Sequence, residues 1–516
     1  MKERSRLQNS IFNFISGIGY RILTLVTAFV VRTVFIRCLN AEYLGINGLY
    51  SNILSMLSLA ELGFGTAMVY SMYQPLAEKN DKKLQQLMKL YQKVYTIIGT
   101  VILFLGLGLI PYLDVLIKDQ PNVKGLTFYY ILFLLNSVVS YWFFAYRNAL
   151  LQADQKSYIV TNYNSIFNLI KSILQILLLL IFHSFTLYLI TQIICTIGQN
   201  IAVAIKVDSV YPFMKEKQEE KLPKEETKKI FKDVKALMIL KIAHVALNSS
   251  DNIIISAFVG LKWVGLLSNF VLISDAITSI LCQTTNSITA SLGNFFAKET
   301  KKEGYKLFCR VDFLNFWLYG FSAIALVTLL NPFITIWIGE NYTLNQSAVV
   351  WLSINFFVAG FMNTITTFRS TLGLFTQGQY RPLIVTAINI GLSIGLSYRW
   401  GITGVLAATF ISRLCVNLWY DPWLIHKKGF YTSVKPYFKK NLLRVIMLVM
   451  VGGGMQEISS IVFRNGINII NFFVMVLITV VLPNGIFILV FHRKEEFKYF
   501  LNLIMGFKSK LKREKG

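Results

Sequence analysis

The sequence predicts an all-α, polytopic membrane protein of about 14 transmembrane helices, built as two like halves. Three observations predict it. Apolar runs of ~20 residues recur from end to end, each long enough to cross a ~30 Å hydrocarbon core as a helix. Only 15% of the 516 residues are charged, where a soluble chain carries about 25%, and the mean hydropathy is +0.54. The chain also repeats itself. Ala41-Glu42-Tyr43-Leu44-Gly45 leads into an apolar run that ends at Ala77-Glu78-Lys79. Leu261-Lys262-Trp263-Val264-Gly265 leads into another that ends at Ala297-Lys298-Glu299. The glycines and the alanines are each 220 residues apart, and Pro111 and Pro332 follow at an offset of 221. An offset held through loops and charge clusters is the mark of an internal repeat.

Hydropathy places spans 1 to 6 at about 11–37, 44–73, 90–113, 126–146, 158–181 and 185–205. The polar stretch 208–235 reads as a cytoplasmic linker with some helix, containing Lys215-Glu216-Lys217 and Glu219-Glu220-Lys221. Spans 7 to 12 follow at about 236–259, 264–296, 307–330, 348–374, 383–398 and 401–425, and two more at about 442–460 and 467–491. The expected organisation is a first lobe over 1–207, the linker 208–235, a second lobe over 236–426, and two C-terminal helices with a basic tail over 427–516.

The net charge of +25 is mostly a topology signal. Most Lys and Arg flank the segments that face the cytoplasm when the N-terminus is inside, which also puts the C-terminus inside. No nucleic-acid motif accompanies the charge. Met1 to Arg6 is basic and runs into an apolar segment without a cleavage site, so an uncleaved first span is expected. Cys38, Cys195, Cys282, Cys309 and Cys415 show no metal or redox spacing and read as small core residues. External loops are short, which disfavours a membrane polymerase or glycosyltransferase with an external catalytic loop. No HExxH motif and no P-loop lysine appear. An enzyme is not expected, and no cofactor is implied.

Ionisable groups at bilayer depth are costly, so they mark cavities or ion pairs. Arg21 and Arg32 lie eleven residues apart, on one face of span 1 and roughly 16 Å apart along it. Lys241 follows Arg21 by 220 residues, so the two cations are equivalent in the two halves. Lys241, His244, Asn248 and Asn252 form one polar stripe on span 7, with Asp251 beside it. Span 2 holds Glu61 and span 8 holds Asp275. Span 5 holds Lys171 after Asn164 and Asn168. Spans 10 and 12 hold Arg369 and Arg413, for which a local ion pair or a snorkelling side chain is the simpler reading. Arg21, Lys241, Lys171 and Arg32 are the candidate substrate-binding cations. Glu61, His244, Asn248, Asp251 and Asp275 are candidates for polar contact or ion coupling. Guanidinium and ammonium groups match phosphate oxygens, and amide and hydroxyl side chains suit sugars.

At this point the chain resembles a known family. Leu44-Gly45 with Gly48-Leu49, Leu62-Gly63-Phe64-Gly65 with Ala67, and Gln152-Ala153 with Tyr158 carry the likeness in the first half. Asp251-Asn252-Ile253 with Val264-Gly265, and Gly401-Ile402-Thr403-Gly404 with Ala407-Ala408, carry it in the second. The pattern, over about residues 10–430, is similar to the multidrug/oligosaccharidyl-lipid/polysaccharide superfamily, and within it to the Wzx-type oligosaccharide flippases. The resemblance implies two pseudo-symmetric six-helix lobes in a MATE-like fold, with two extra helices. It implies alternating-access transport of an undecaprenyl-pyrophosphate-linked oligosaccharide across the bacterial cytoplasmic membrane, for capsule, exopolysaccharide or O-antigen. The partners it implies are that glycan, membrane lipids and the polysaccharide polymerase machinery. In relatives, spans 1, 2, 7 and 8 line the cavity, which implies roles for Arg21, Glu61, Lys241, Asp251 and Asp275. Coupling to H+ or Na+ stays open. The alternatives are a peptidoglycan-precursor (lipid II) flippase and a cation-coupled multidrug exporter. Span 1 lacks the acidic cluster of the exporter branch.

Overall fold

A computed structural model describes residues 6–58, 64–118, 123–215, 222–228, 230–231, 234, 249–298, 300–374, 377–378, 380–502 and 505. Almost every described residue is helical and none is in a strand, as the backbone requires where no water can satisfy it. Ten described helices are long and apolar enough to cross a membrane, or eleven if Leu126–Trp142 and Ala145–Ala153, bent by 45°, form one span. The chain is a multi-pass membrane protein. Its contacts group into two units, 1–265 and 266–516.

The first unit holds α1 (Arg6–Cys38), α2 (Ala41–Leu57), α3 (Phe64–Ala77), α4 (Asp81–Leu109), α5 (Leu126–Trp142), α6 (Asn148–Ala153), α7 (Ser157–Phe182) and α8 (Phe185–Val210). The span expected at 44–73 is two helices, α2 and α3. Asn40 caps α2 by accepting from the Glu42 and Tyr43 amides, and Asn80 caps α4 through the Lys83 amide, as helix N-termini require. α4 gives way to a tight 3-10 turn over Ile110–Leu116, with Pro111 in its first turn. α1 and α7 run parallel: Asn13 donates to the Gln155 carbonyl and accepts from the Tyr158 amide, while further along Asn168 donates to Thr27 at 3.2 Å. The linker packs back on α4, where Lys83 pairs with Glu226 at 2.9 Å.

The repeated glycines meet. A Cβ on Gly45 would lie 2.3 Å from the Leu261 carbonyl oxygen, and one on Gly265 would lie 2.3 Å from the Ala41 carbonyl oxygen. Leu261 is Ala41 plus the repeat offset, as Gly265 is Gly45 plus it. The contact therefore maps onto itself, as a local twofold demands. Lipid tails are as apolar as Leu, so helices in a bilayer associate through close packing, and glycine permits it. The neighbouring segment 256–258 is tied to the end of the 3-10 turn after α4. Ser256 donates to the Leu116 carbonyl at 2.7 Å, and Lys118 Nζ donates to the Phe258 carbonyl at 2.8 Å.

The second unit holds most of α9 (Leu261–Lys298), then α10 (Lys301–Ile338), α11 (Gln346–Thr371), α12 (Arg381–Leu424), α13 (Lys435–Val462) and α14 (Ile469–Phe491). α12 is two spans joined at Gly401, whose φ of 55° breaks the helix where the sequence placed the boundary between spans 11 and 12. The second copy of the proline motif behaves differently from the first. Pro332 sits inside α10, which runs to Ile338 and not to about 330 as expected from hydropathy. Asn331 holds the loop ahead of it, donating to the Leu344 carbonyl at 2.8 Å. The two C-terminal helices pack on α10, burying Phe313, Phe316 and Ile324 against Val451, Met455, Met475 and Phe487. All five cysteines are free, and Cys195 alone is buried.

Candidate functional site

The intramembrane cations fall into two kinds. In the second unit three arginines, Arg369, Arg381 and Arg444, are committed to carboxylates. Asp421 on α12 takes Arg369 at 3.4 Å and Arg381 in a closer pair, and Arg369 also donates to the Leu374 and Gln377 carbonyls. The ion-pair reading of Arg369 is thus the observed one. Arg413 reaches the Asn355 carbonyl at 3.5 Å. Arg444 on α13 is buried against Asp312 on α10 at 2.6 Å, and Tyr437 donates to the same carboxylate at 3.2 Å.

In the first unit, Arg32 and Lys171 line one cavity of about 240 Å³ between α1, α2, α7 and α8. The described lining holds these two cations and no acidic side chain. The rest mixes polar side chains, with Thr24, Asn47, Gln175 and Tyr188 among them, and apolar ones, Ala28, Val31, Phe35 and Leu44. The local fold explains the arrangement. α7 carries Asn164, Asn168, Lys171 and Gln175 at steps of four, three and four residues, which places them on one face. Each amide ties that face to a neighbour: Asn164 accepts from Gln199 on α8 at 2.8 Å, Asn168 reaches Thr27 on α1, and Gln175 donates to the Tyr188 carbonyl at 3.2 Å. Lys171 is thereby held on the stripe facing α1, and the parallel crossing brings Arg32 level with it. Both cations are half-buried. Pockets for drug-sized ligands run ~300–1,000 Å³, so this cavity suits a compact anionic group, not a whole glycan.

A second polar cavity in the same unit, of about 390 Å³, lies where α3, α4, α5 and α6 converge. Tyr91, Tyr95 and Tyr141 face it, with Asn148 and Gln152. Tyr91 and Tyr95 hydroxyls are 2.9 Å apart, and Asn148 Oδ1 is buried with no hydrogen-bond partner among the described residues. Aromatic faces and amides are the side chains that take sugar hydroxyls. Sequence reading missed this group. The tyrosines recur at spacings of four on α4, but the bend at Phe143–Phe144 that brings Asn148 to them has no sequence signal beyond the clustered aromatics.

The other expected residues are placed as follows. Arg21 is exposed on α1, and Asp251 is half-buried in the helical turn before the π-helical segment Ile255–Val259. Asp275 is exposed on α9. Glu61, Lys241, His244 and Asn248 lie outside the described residues.

The polysaccharide biosynthesis protein family model matches residues 7–289. No curated protein matches the chain. Among solved structures, the fold is similar to a lipid II flippase MurJ in an inward closed conformation, at 18% identity, with 94% of this chain and 100% of that one covered and a TM-score of 0.60. It is also similar to an inward-facing multidrug resistance MATE family transporter of the MOP superfamily, at 15% identity over 78% of this chain and 94% of that one, with a TM-score of 0.55. A Vibrio cholerae MATE transporter matches at 13% identity over 83% and 99%, with a TM-score of 0.52. The fold is the one these solved structures share.

Proposed function

The chain belongs to the polysaccharide biosynthesis protein family, and from that premise we propose that it is a flippase for undecaprenyl-pyrophosphate-linked oligosaccharides in the bacterial cytoplasmic membrane. It works by alternating access and carries out no bond chemistry. The observation that carries this reading is that Arg32 and Lys171 share one cavity whose described lining holds no acidic side chain. Two half-buried cations on a frame of amides suit a diphosphate, because charge-assisted hydrogen bonds to phosphate oxygens are about twice as strong as neutral ones. The tyrosine- and amide-lined cavity near Asn148 suits sugar hydroxyls. Arg21 and Lys241, equivalent in the repeat, are the further candidate cations for the same anion, and the polyprenyl tail stays in the bilayer. Ion coupling, if the cycle uses it, falls to Glu61, Asp251 or Asp275.

The same cavity argues against a drug exporter. A cationic drug would meet two like charges and no carboxylate, and like charges at short range in a low dielectric repel strongly. Proteoliposomes loaded with a fluorescent polyprenyl-pyrophosphate oligosaccharide test the proposal. Protein-dependent exposure of the glycan to an external lectin is the expected result, and proton and sodium gradients applied in turn identify the driving ion. Efflux of small organic cations with no glycan movement would overturn it. Movement of lipid II in preference to other glycans would shift the reading to the peptidoglycan precursor.

A further inference from the structure

We propose that a cavity at the cation-rich ends of α10, α13 and α14 binds the headgroup of an anionic phospholipid. The site lies beyond the family match, and the transport reading makes no use of it. The cavity measures about 810 Å³, and seven cationic side chains line it against two acidic ones. The helices alternate in direction, so the starts of α10 and α13 and the end of α14 meet on one membrane face. α10 brings Lys306 and Arg310, α13 brings Lys439 and Lys440, and Arg493 and Lys494 follow α14.

Local partners use up only part of this charge. Lys440 pairs with Glu496 at 2.6 Å, Lys306 pairs with Glu303 at 2.7 Å, and Arg310 stacks over the Tyr499 ring at 3.9 Å. Lys439, Arg493 and Lys494 are exposed and make no salt bridge among the described residues. Arg444, 3% exposed, lies deeper in the lining. Its Nη1 is engaged by Asp312 and Asn441, while Nε and Nη2 have no hydrogen-bond partner among the described residues. Those are two buried donors of a guanidinium in a cavity ringed by cations, an arrangement that phosphate oxygens satisfy.

The apolar side of the cavity separates a lipid from a soluble anion. Phe313, Leu443, Met447, Val490 and Phe491 form an apolar part of the lining. Leu443 and Val490 are 60% and 51% exposed, so the apolar wall runs out onto the surface that meets the bilayer. A phosphate held by the cations would leave acyl chains lying on that surface. Basic pockets between transmembrane helices on one leaflet take lipid headgroups in this way.

The test uses purified, delipidated full-length protein in a neutral detergent. It is titrated separately with phosphatidylglycerol, phosphatidylcholine, inorganic diphosphate and undecaprenyl diphosphate, and read by native mass spectrometry and thermal unfolding. Phosphatidylglycerol is expected to bind at least tenfold more tightly than phosphatidylcholine and to raise the melting temperature. Lys439→Gln with Arg493→Gln and Lys494→Gln is expected to lose that preference while melting like the wild type without lipid. These side chains are exposed, so the variant tests binding and not folding. Equal phosphatidylglycerol binding by wild type and variant would overturn the proposal. Inorganic diphosphate binding as tightly as the phospholipid would make it a soluble-anion site. Undecaprenyl diphosphate binding more tightly than phosphatidylglycerol would assign the cavity to a transport substrate. Either result rejects a phospholipid site.

Discussion

The first unit gathers two membrane cations around a cavity, whereas three arginines of the second unit are held by carboxylates. Arg32 and Lys171 share a lining of amides, hydroxyls and apolar side chains. Arg369, Arg381 and Arg444 are held by Asp421 and Asp312. Desolvation is costly in both places. In the second unit a carboxylate offsets that cost and the reward is a fixed fold. In the first unit the described lining offers amides and hydroxyls and no carboxylate, a setting that suits an anionic ligand. An intramembrane cation therefore reads as structural or functional according to what shares its cavity, not according to its depth.

The contrast can be broken most sharply in the second unit. Asp421→Ala leaves Arg369 and Arg381 without their shared carboxylate. The expected cost is about 3–5 kcal/mol, the range for stranding one partner of a buried pair, seen as a large fall in melting temperature or loss of folded protein from the membrane. Unchanged melting would show that these pairs are not structural. In the first unit the same logic predicts a split between function and fold. Lys171→Gln should cut glycan movement at least tenfold and leave melting almost unchanged, while Lys171→Arg should restore much of the movement.

The glycine contact gives a smaller, purely steric prediction. Gly45→Leu places a side chain against the Leu261 carbonyl, where even a Cβ would come within 2.3 Å. The helices must part, at an expected cost of about 1–3 kcal/mol, and Gly265→Leu should cost about the same because the contact is self-complementary. A large difference between the two would deny the local twofold. The smallest effect is at Glu496. Burial alone would raise its carboxyl, but the hydrogen bond and charge of Lys440 outweigh that and hold it below its usual value. A depressed carboxyl stabilises above its unfolded value and loses that contribution as the pH falls through the folded one. Wild type should therefore lose slightly more stability than Glu496→Gln in mild acid, by well under ~1 kcal/mol because Lys440 is partly exposed. Equal acid sensitivity would remove the pair from the account.

The fold was legible because hydropathy and the 220-residue repeat are properties of the chain itself. The break at Gly401 was readable for the same reason, as the boundary between spans 11 and 12. The site was legible only in part. Lys171 and Arg32 stood out as charges in apolar runs, and Asn164 and Asn168 marked the stripe. Gln175 and Tyr188 did not stand out, because their role depends on which helix crosses α7 and at what height. Asp421 and Asp312 were missed as partners for a like reason. One sits near a span end and the other early in α10, and their arginines are 40 to 132 residues away along the chain. The two proline motifs, alike in sequence, take different structures: Pro111 lies in a 3-10 turn, while Pro332 lies within α10, where Asn331 donates to the Leu344 carbonyl.

The central claim is that the Arg32 and Lys171 cavity carries the diphosphate. The most direct measurement compares wild type with Arg32→Ala plus Lys171→Ala in proteoliposomes, following a fluorescent polyprenyl-pyrophosphate oligosaccharide at matched protein density and matched thermal stability. The account predicts rapid protein-dependent movement for wild type and near-background movement for the double variant. Equal movement by both, in a variant that melts like the wild type, would contradict it.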